Sequence, residues 1–296
     1  MATPSAAGSD YLLSRDYVDC TRWDCDEHPR YAAAADAASS LRRLNLQHYL
    51  WTQMFGYLLN PMVDTSSDTL KVADIGTGTG VWLTDLSRHL ATSAQLDGFD
   101  VDTSQAPPRE WLPPNVNIRT WDIFTDVPDE LVEQYDVVHV KLLVFVVKGD
   151  PIPILRNLIR MLKPGGWLQW AEPDVPSMRI SKTQSSKADD ALQRLFNLTA
   201  AQDPRLVPKW PSQLPGLFQG QGLAQVEAHR VDANPHQEFA MHQCNLLIYD
   251  MIAQRGASSA QAKEISSLVP EAAHETKGGA MFAFSRLTVV GRKAQD

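Results

Sequence analysis

The chain has 296 residues, 44% hydrophobic and 21% charged, which is enough apolar material for a large buried core and too little charge for a disordered polymer. Its formal net charge is −8, and no Lys/Arg cluster exceeds the pair Arg42-Arg43, so nothing in it is built to grip a phosphate backbone and no nucleic acid partner is expected. No apolar run reaches membrane-spanning length and the first ten residues have neither a basic nor an apolar stretch, so a cytoplasmic address and no membrane partner are expected.

The three cysteines, Cys20, Cys25 and Cys244, form no paired framework, which suits a reducing compartment. Cys20, Cys25 and His28 lack a fourth ligand and a C-x2-C spacing, so free thiols are expected and no metal. Met1 to Asp10 is small and polar. Tyr11, Tyr17 and Trp23 are apolar anchors in the turn-rich segment up to Arg30, and they are expected to fold back on the protein. Ala32 to Leu59 reads as one or two helices with Leu41, Leu44, Leu50, Trp51, Met54, Phe55 and Leu58 at helical spacing, ended by Asn60-Pro61. Residues 1–62 are therefore expected to form an N-terminal helical lid. Trp51 and Phe55 are candidates to line a substrate pocket, with plain packing against the main domain as the alternative.

After the polar break Asp64 to Asp68, strands and helices alternate, the pattern of an α/β domain with a parallel sheet, expected over residues 63–296. The first strand, Lys71 to Ile75, runs into Gly76-Thr77-Gly78-Thr79-Gly80, and a helix with Trp82, Leu83, Leu86 and Leu90 on its apolar stripe starts near Val81. Glycines there let a ligand approach the backbone, and the free amides of the helix start point at it. The spacing is G-x-G-x-G, with Asp74 two residues before the first glycine, whereas a dinucleotide turn has G-x-G-x-x-G and binds a pyrophosphate. A carboxylate beside the turn repels an anion and favours a ligand carrying ammonium and sulfonium charge.

The second strand, Gln95 to Asp100, ends in an acid where a ribose would sit, with Asp102 as the neighbouring alternative. The third, Val116 to Ile123, carries Asp122 near its end. The fourth, Tyr135 to Leu142, puts Val137, His139 and Lys141 on one face, with Lys141 at the active end. A helix from Pro151 to Leu162 stops at Lys163-Pro164-Gly165-Gly166, and Trp167 to Glu172 is the fifth strand.

The D-x-G-x-G-x-G pattern and the Met161 to Leu168 run with Pro164-Gly165-Gly166 resemble the class I S-adenosylmethionine-dependent methyltransferases. Leu44 to His48, Asp136 to Lys141 and Trp170-Ala171-Glu172 are similar to the fungal LaeA-like and secondary-metabolite methyltransferases. The resemblance implies a Rossmann-like sheet of seven strands and S-adenosyl-L-methionine as cofactor. The candidate cofactor-binding residues are Asp74, Gly76, Thr77, Gly78, Gly80, Asp100, Val101, Asp122, Ile123 and Lys141, with Asp122 meeting the adenine amino group.

Ser185 to Ala201 reads as a helix, Gly220 to Asp232 as the sixth strand and Met281 to Val290 as the seventh. Ala233 to Ala280, helically patterned through Phe239, Met241, Leu246, Leu247, Tyr249 and Met251, is expected as a helical cap inserted between them, with Tyr249 facing substrate. Glu172, at the end of the fifth strand, and His242, in the cap beside His236, are the candidate general bases. The expected activity is methyl transfer to oxygen or nitrogen of a small apolar natural product. The alternatives that the resemblance keeps open are a cyclase that binds the cofactor without transferring methyl and a non-enzymatic LaeA-like regulator. A monomer or a homodimer is expected.

Overall fold

The structure, a computed structural model, describes residues 43–144, 146–147, 149–202, 207–255 and 260–295. The expectations for Tyr11, Tyr17, Trp23, Cys20, Cys25, His28 and the rest of residues 1–42 lie outside these. The first described helix, α1 (43–55), ends before the expected Asn60-Pro61 because Gly56 adopts φ 77° and closes the last turn, its N–H donating to Thr52 O at 2.8 Å. Then follow β1 (Lys71–Ile75), α2 (Val81–Leu86), β2 (Gln95–Asp100), β3 (Val116–Thr120), β4 (Tyr135–Lys141), α3 (Ile152–Met161), β5 (Leu162–Pro173), β6 (Arg179–Lys182) and α4 (Asp190–Gln202). The chain continues with α5 (Leu214–Gly220), β7 (Ala224–Val231), α6 (Pro235–Arg255), α7 (Ala260–Gly278), β8 (Ala280–Ala283) and β9 (Arg286–Arg292).

Seven strands make one sheet in the order β3-β2-β1-β4-β5-β9-β7. Pairings among the first five are parallel, and β9 runs antiparallel to both β5 and β7. Successive residues feed opposite faces: Ala73, Val138, Leu168 and Val289 join one core with Leu155 and Leu158 of α3 and Phe218 of α5, while Val72, Val137, Trp167 and Val290 join a second with Trp82, Leu83 and Leu86 of α2. Strand order reverses between β1 and β4, and in such sheets the crevice beyond the carboxyl ends at that point is where ligands bind.

Between β7 and β9 the chain leaves the sheet. Asn234 starts α6 by accepting the Gln237 N–H at 3.1 Å, with Pro235 as the first helical residue. Leu192 and Leu195 of α4, Tyr249 of α6, Ile265, Leu268 and Ala272 of α7 and Phe282 of β8 form a separate core. Glu275 of α7 caps α4, accepting the Ala191 and Leu192 N–H groups at 2.9 and 3.0 Å. The expected seventh strand, Met281 to Val290, is two strands. β8 pairs with β6 in a small antiparallel sheet, and only β9 joins the main one. The break falls at Ser285, whose N–H donates to Ser177 Oγ at 2.8 Å and whose carbonyl accepts the Asp174 N–H at 2.9 Å, turning the chain onto the end of β5.

Candidate functional site

A cavity of about 300 Å³ opens at the carboxyl ends of β1, β2 and β4 and extends toward α1 and α6. At its β1 end, Gly76, Gly78 and Gly80 adopt φ 71°, 54° and 70°, a left-handed path that side chains rarely take. A Cβ on Gly80 would lie 2.7 Å from Ile118 Cδ1. The Gly76 and Thr77 N–H groups donate to Phe99 O at 2.8 and 3.0 Å, holding the turn against β2.

Asp100, at the end of β2, completes the cradle. Its Oδ2 accepts the Gly78 N–H at 2.8 Å and its Oδ1 the Asp102 N–H at 3.2 Å. Burial pushes its carboxyl up, against those two bonds and a third from the Val101 amide. Asp102 does not line the cavity; its carboxylate caps the next turn by accepting the Ser104 N–H at 2.8 Å. Val101 and Ile123 line the cavity, as does Trp121. Asp122, between the last two, accepts the Phe124 N–H at 3.0 Å and is not among the lining residues.

Asp74 and His139 are register partners across β1 and β4, which puts their side chains side by side on one face. Asp74 is buried, accepting from Thr77 Oγ1 at 2.8 Å and from His139 Nδ1–H at 2.7 Å. Burial holds the His139 pKa below the usual histidine value, and the Trp82 indole stacks on its ring at 3.7 Å with 4° between planes. Two residues on, Lys141 Nζ donates to His48 Nδ1 at 3.3 Å, and the opposite nitrogen of that imidazole, Nε2, lies 3.1 Å from Asp85 Oδ2. A lysine donor on Nδ1 assigns the His48 proton to Nε2, where it donates to Asp85. Burial and the Lys141 charge hold His48 down at about 4, and burial pushes Lys141 down to about 8.

The other half of the cavity is apolar. Trp51 of α1, Met241, Ile248 and Tyr249 of α6, and Phe282 and Phe284 line it. Phe55 stacks on Trp51, centroids 5.5 Å apart and planes at 12°, and backs that wall rather than lining the cavity. Polar groups here are few. Asn245 has a buried Nδ2 with no hydrogen-bond partner among the described residues. The Arg286 guanidinium pairs with Glu238 through Nη1–Oε2 at 3.0 Å and Nη2–Oε1 at 3.3 Å and sits 4.4 Å over the Phe284 ring.

Neither expected general base reaches the cavity. Glu172 is fully buried behind it, accepting the Leu143 and Val144 N–H groups at 2.8 and 3.1 Å and Trp170 Nε1–H at 2.7 Å. That burial pushes its carboxyl up to about 8. His242 is equally buried and ties three elements together: Nδ1 accepts the Phe282 N–H at 3.2 Å, and Nε2–H donates to Thr276 Oγ1 at 2.8 Å, whose own proton goes to Ala272 O. His236 is exposed. Residue type and position drew attention to both candidates, but their polar atoms are committed to the fold. Sequence reading quoted His48 only as the end of the Leu44 to His48 segment and gave it no role, and it passed over Asp85, Asn245 and Arg286, which have no local motif; their common signal is a polar residue inside an otherwise apolar helix face or at a strand start.

Three similarities bear on this geometry. The chain is 39% identical over 141 residues to methyltransferase grgD from Penicillium sp, covering 45% of this chain and 48% of that one. It is 31% identical over 162 residues to N-methyltransferase tcpN from Claviceps purpurea, covering 54% and 56%. It thus spans about half the length of the curated relatives it matches. The Haemonchus contortus phosphoethanolamine N-methyltransferase 2, solved with phosphomonomethylethanolamine and S-adenosylhomocysteine, shares the fold at TM-score 0.50 and 15% identity, over 83% of this chain and 53% of that one. Residues 46–228, from α1 through most of β7, match the family described as methyltransferase domain, and with the cradle, the strand order and these relatives they establish that the chain belongs to that family.

Proposed function

We propose that the protein binds S-adenosyl-L-methionine in the Gly76–Gly80 cradle and transfers its methyl group to a nitrogen of a small apolar acceptor from secondary metabolism, held in the α1/α6 half of the same cavity. The observation that carries this reading is the continuity of one cavity from a glycine turn flanked by Asp74 and Asp100 to a wall of Trp51, Met241, Tyr249 and Phe282. The donor set fits the cofactor: two carboxylates at the turn disfavour a pyrophosphate and suit a ligand with ribose hydroxyls and positive charge. Nitrogen is favoured over oxygen because several relatives, the Claviceps protein among them, are named N-methyltransferases.

Asp100 offers the ribose the acceptor capacity left beyond its bonds to the Gly78, Asp102 and Val101 amides. Gly76, Thr77 and Gly78 form the floor, with Gly80 buried behind it, and Val101 and Ile123 flank the adenine; Asp122, off the cavity wall with its carboxylate on the Phe124 N–H, is not given the amino group that the resemblance implied. Asp74, already braced by Thr77 and His139, sets the negative potential that favours the cationic end. The cofactor supplies an electrophilic methyl carbon. The chain supplies alignment, which contributes about 7–11 kcal/mol when acceptor and methyl are held in line. We assign α6 and α7 as the substrate cap, supported by Met241, Asn245 and Tyr249 on the cavity wall, and α1, the described part of the expected lid, as a lid element, supported by Trp51. The test is incubation with methyl-labelled cofactor and a panel of apolar amines, amides, indoles and phenols. Label in an N–H acceptor supports the reading, and failure to bind the cofactor overturns it.

A further inference from the structure

With Glu172 and His242 committed to the fold, proton removal from the acceptor falls to another group. We infer that Lys141 is the general base of the cavity and that His48 and Asp85 lead the accepted proton out to the surface of α2. The inference rests on the methyl-transfer reading above and concerns an acceptor that arrives as an uncharged N–H.

The geometry comes from three elements. Lys141 closes β4 at the strand-order reversal and lines the cavity with His48, Gln47 and Trp51 of α1. Among the described residues its Nζ makes one hydrogen bond, to His48 Nδ1, and no carboxylate lies within ion-pair distance of it. Lys141 is half-buried on the cavity wall, and a charged ammonium with no carboxylate beside it is disfavoured there, whereas a neutral amine needs no counter-ion and keeps a lone pair for the cavity. The charged and titratable groups that face it are His48 of α1, Asp85 of α2, Asp74 of β1 and His139 of its own strand. Burial is the dominant influence and the two aspartates oppose it, leaving Lys141 at about 8, so about one molecule in ten carries the free amine at pH 7. A bound sulfonium adds like charge to the same cavity and favours the neutral amine further.

In the reaction the acceptor nitrogen forms its bond to the methyl carbon as the C–S bond breaks, with that electron pair staying on sulfur to give the neutral thioether. The N–H proton passes to Lys141 Nζ. Lys141 then donates to His48 Nδ1 while His48 Nε2–H passes its own proton to Asp85 Oδ2, over the 3.3 and 3.1 Å contacts already in place. The Asp85 carboxylate is 13% exposed, with the Arg88 guanidinium at 3.8 Å, and hands the proton to water. A base in this position contributes typically 10² to 10⁴ in rate. His48 and Asp85 are positioning residues, acting through the lysine.

Two measurements on the full chain need no identified acceptor. Competitive acetylation with isotopically labelled acetic anhydride from pH 6 to 10, read at Lys141 against the exposed Lys263, should give a midpoint near 8 for Lys141, and Asp85→Asn should lower it further. A midpoint at the ordinary lysine value of about 10.4 overturns the inference. Calorimetry at pH 8 in two buffers of different ionisation enthalpy should show S-adenosylmethionine displacing up to about half a proton more than S-adenosylhomocysteine does, a difference that Lys141→Met abolishes while keeping cofactor affinity within about threefold. Equal proton counts for the two ligands, or a tenfold loss of affinity in Lys141→Met, overturns the inference and makes Lys141 a cofactor-holding group. Wild-type protein that binds neither ligand overturns the parent reading, whereas normal binding with an ordinary lysine midpoint overturns this one alone.

Discussion

Asp100→Ala is expected to weaken S-adenosylmethionine binding at least tenfold without unfolding the sheet. The Asp100 carboxylate already accepts backbone N–H groups, Oδ2 from Gly78 at 2.8 Å and Oδ1 from Asp102 at 3.2 Å, with the Val101 amide also directed at it, and the remaining acceptor capacity is what the ribose would use. A hydrogen bond to a charged group contributes about 1.5–3 kcal/mol, and each 1.4 kcal/mol is tenfold in affinity. Loss of one ribose bond therefore costs about ten- to a hundredfold, and loss of both about 10² to 10⁴. Loosening of the Gly78 amide adds to this, because Asp100 fixes the turn before any ligand arrives. Asp100→Asn keeps the shape but has a single acceptor oxygen, so it should fall between wild type and alanine. Calorimetry with both S-adenosylmethionine and S-adenosylhomocysteine is the assay, since both carry the ribose and should lose the same factor. A loss below threefold, or one confined to the sulfonium ligand, would refute the ribose assignment.

Two further outcomes concern the buried groups. Glu172 holds its proton to about pH 8 in the fold but only to the usual carboxylate value when unfolded, so its contribution is complete below the unfolded pKa and declines as pH rises toward 8. Thermal melts of wild type and Glu172→Gln at pH 5, 7 and 9 should show the wild-type advantage shrinking with pH; parallel curves would contradict the assignment. His242→Ala should leave cofactor affinity unchanged and cost about 1–3 kcal/mol in denaturant unfolding, because the buried Phe282 N–H loses its acceptor. A variant of wild-type stability that fails to turn over would return His242 to the catalytic set.

The cofactor half was legible in the sequence because its parts are local. A glycine turn, a strand-end acid and a Pro-Gly-Gly stop each announce themselves within a few residues, and parallel pairing then brings them together. Packing over long separations was not legible. His48 and Lys141 meet across 93 positions, and Ser285 is turned by Ser177 across 108, so the alternating Phe282, Phe284 pattern ran straight through the break that ends β8. Glu172 and His242 stood where bases often stand, and what removes them, three donors on one and a strut between helices on the other, exists only after folding.

Val231 and Arg286 are register partners, so the chain leaves and re-enters the sheet edge at one cross-strand pair. To the sheet, the whole excursion of residues 232–285 is a hairpin loop, and lengthening a loop adds only about 0.6 kcal/mol of closure cost per doubling. Such a segment can be exchanged while β1 through β5 and their cradle stay untouched if α4 and β6, which share its core and its small sheet, are exchanged with it, and the family match does stop at residue 228, just short of the seam. Arg286 stands at the seam, with its backbone in the sheet and its guanidinium bound to Glu238 of the excursion. A graft from a relative would need to bring its own acid at the Glu238 position, or leave a buried cation that costs about 3–5 kcal/mol.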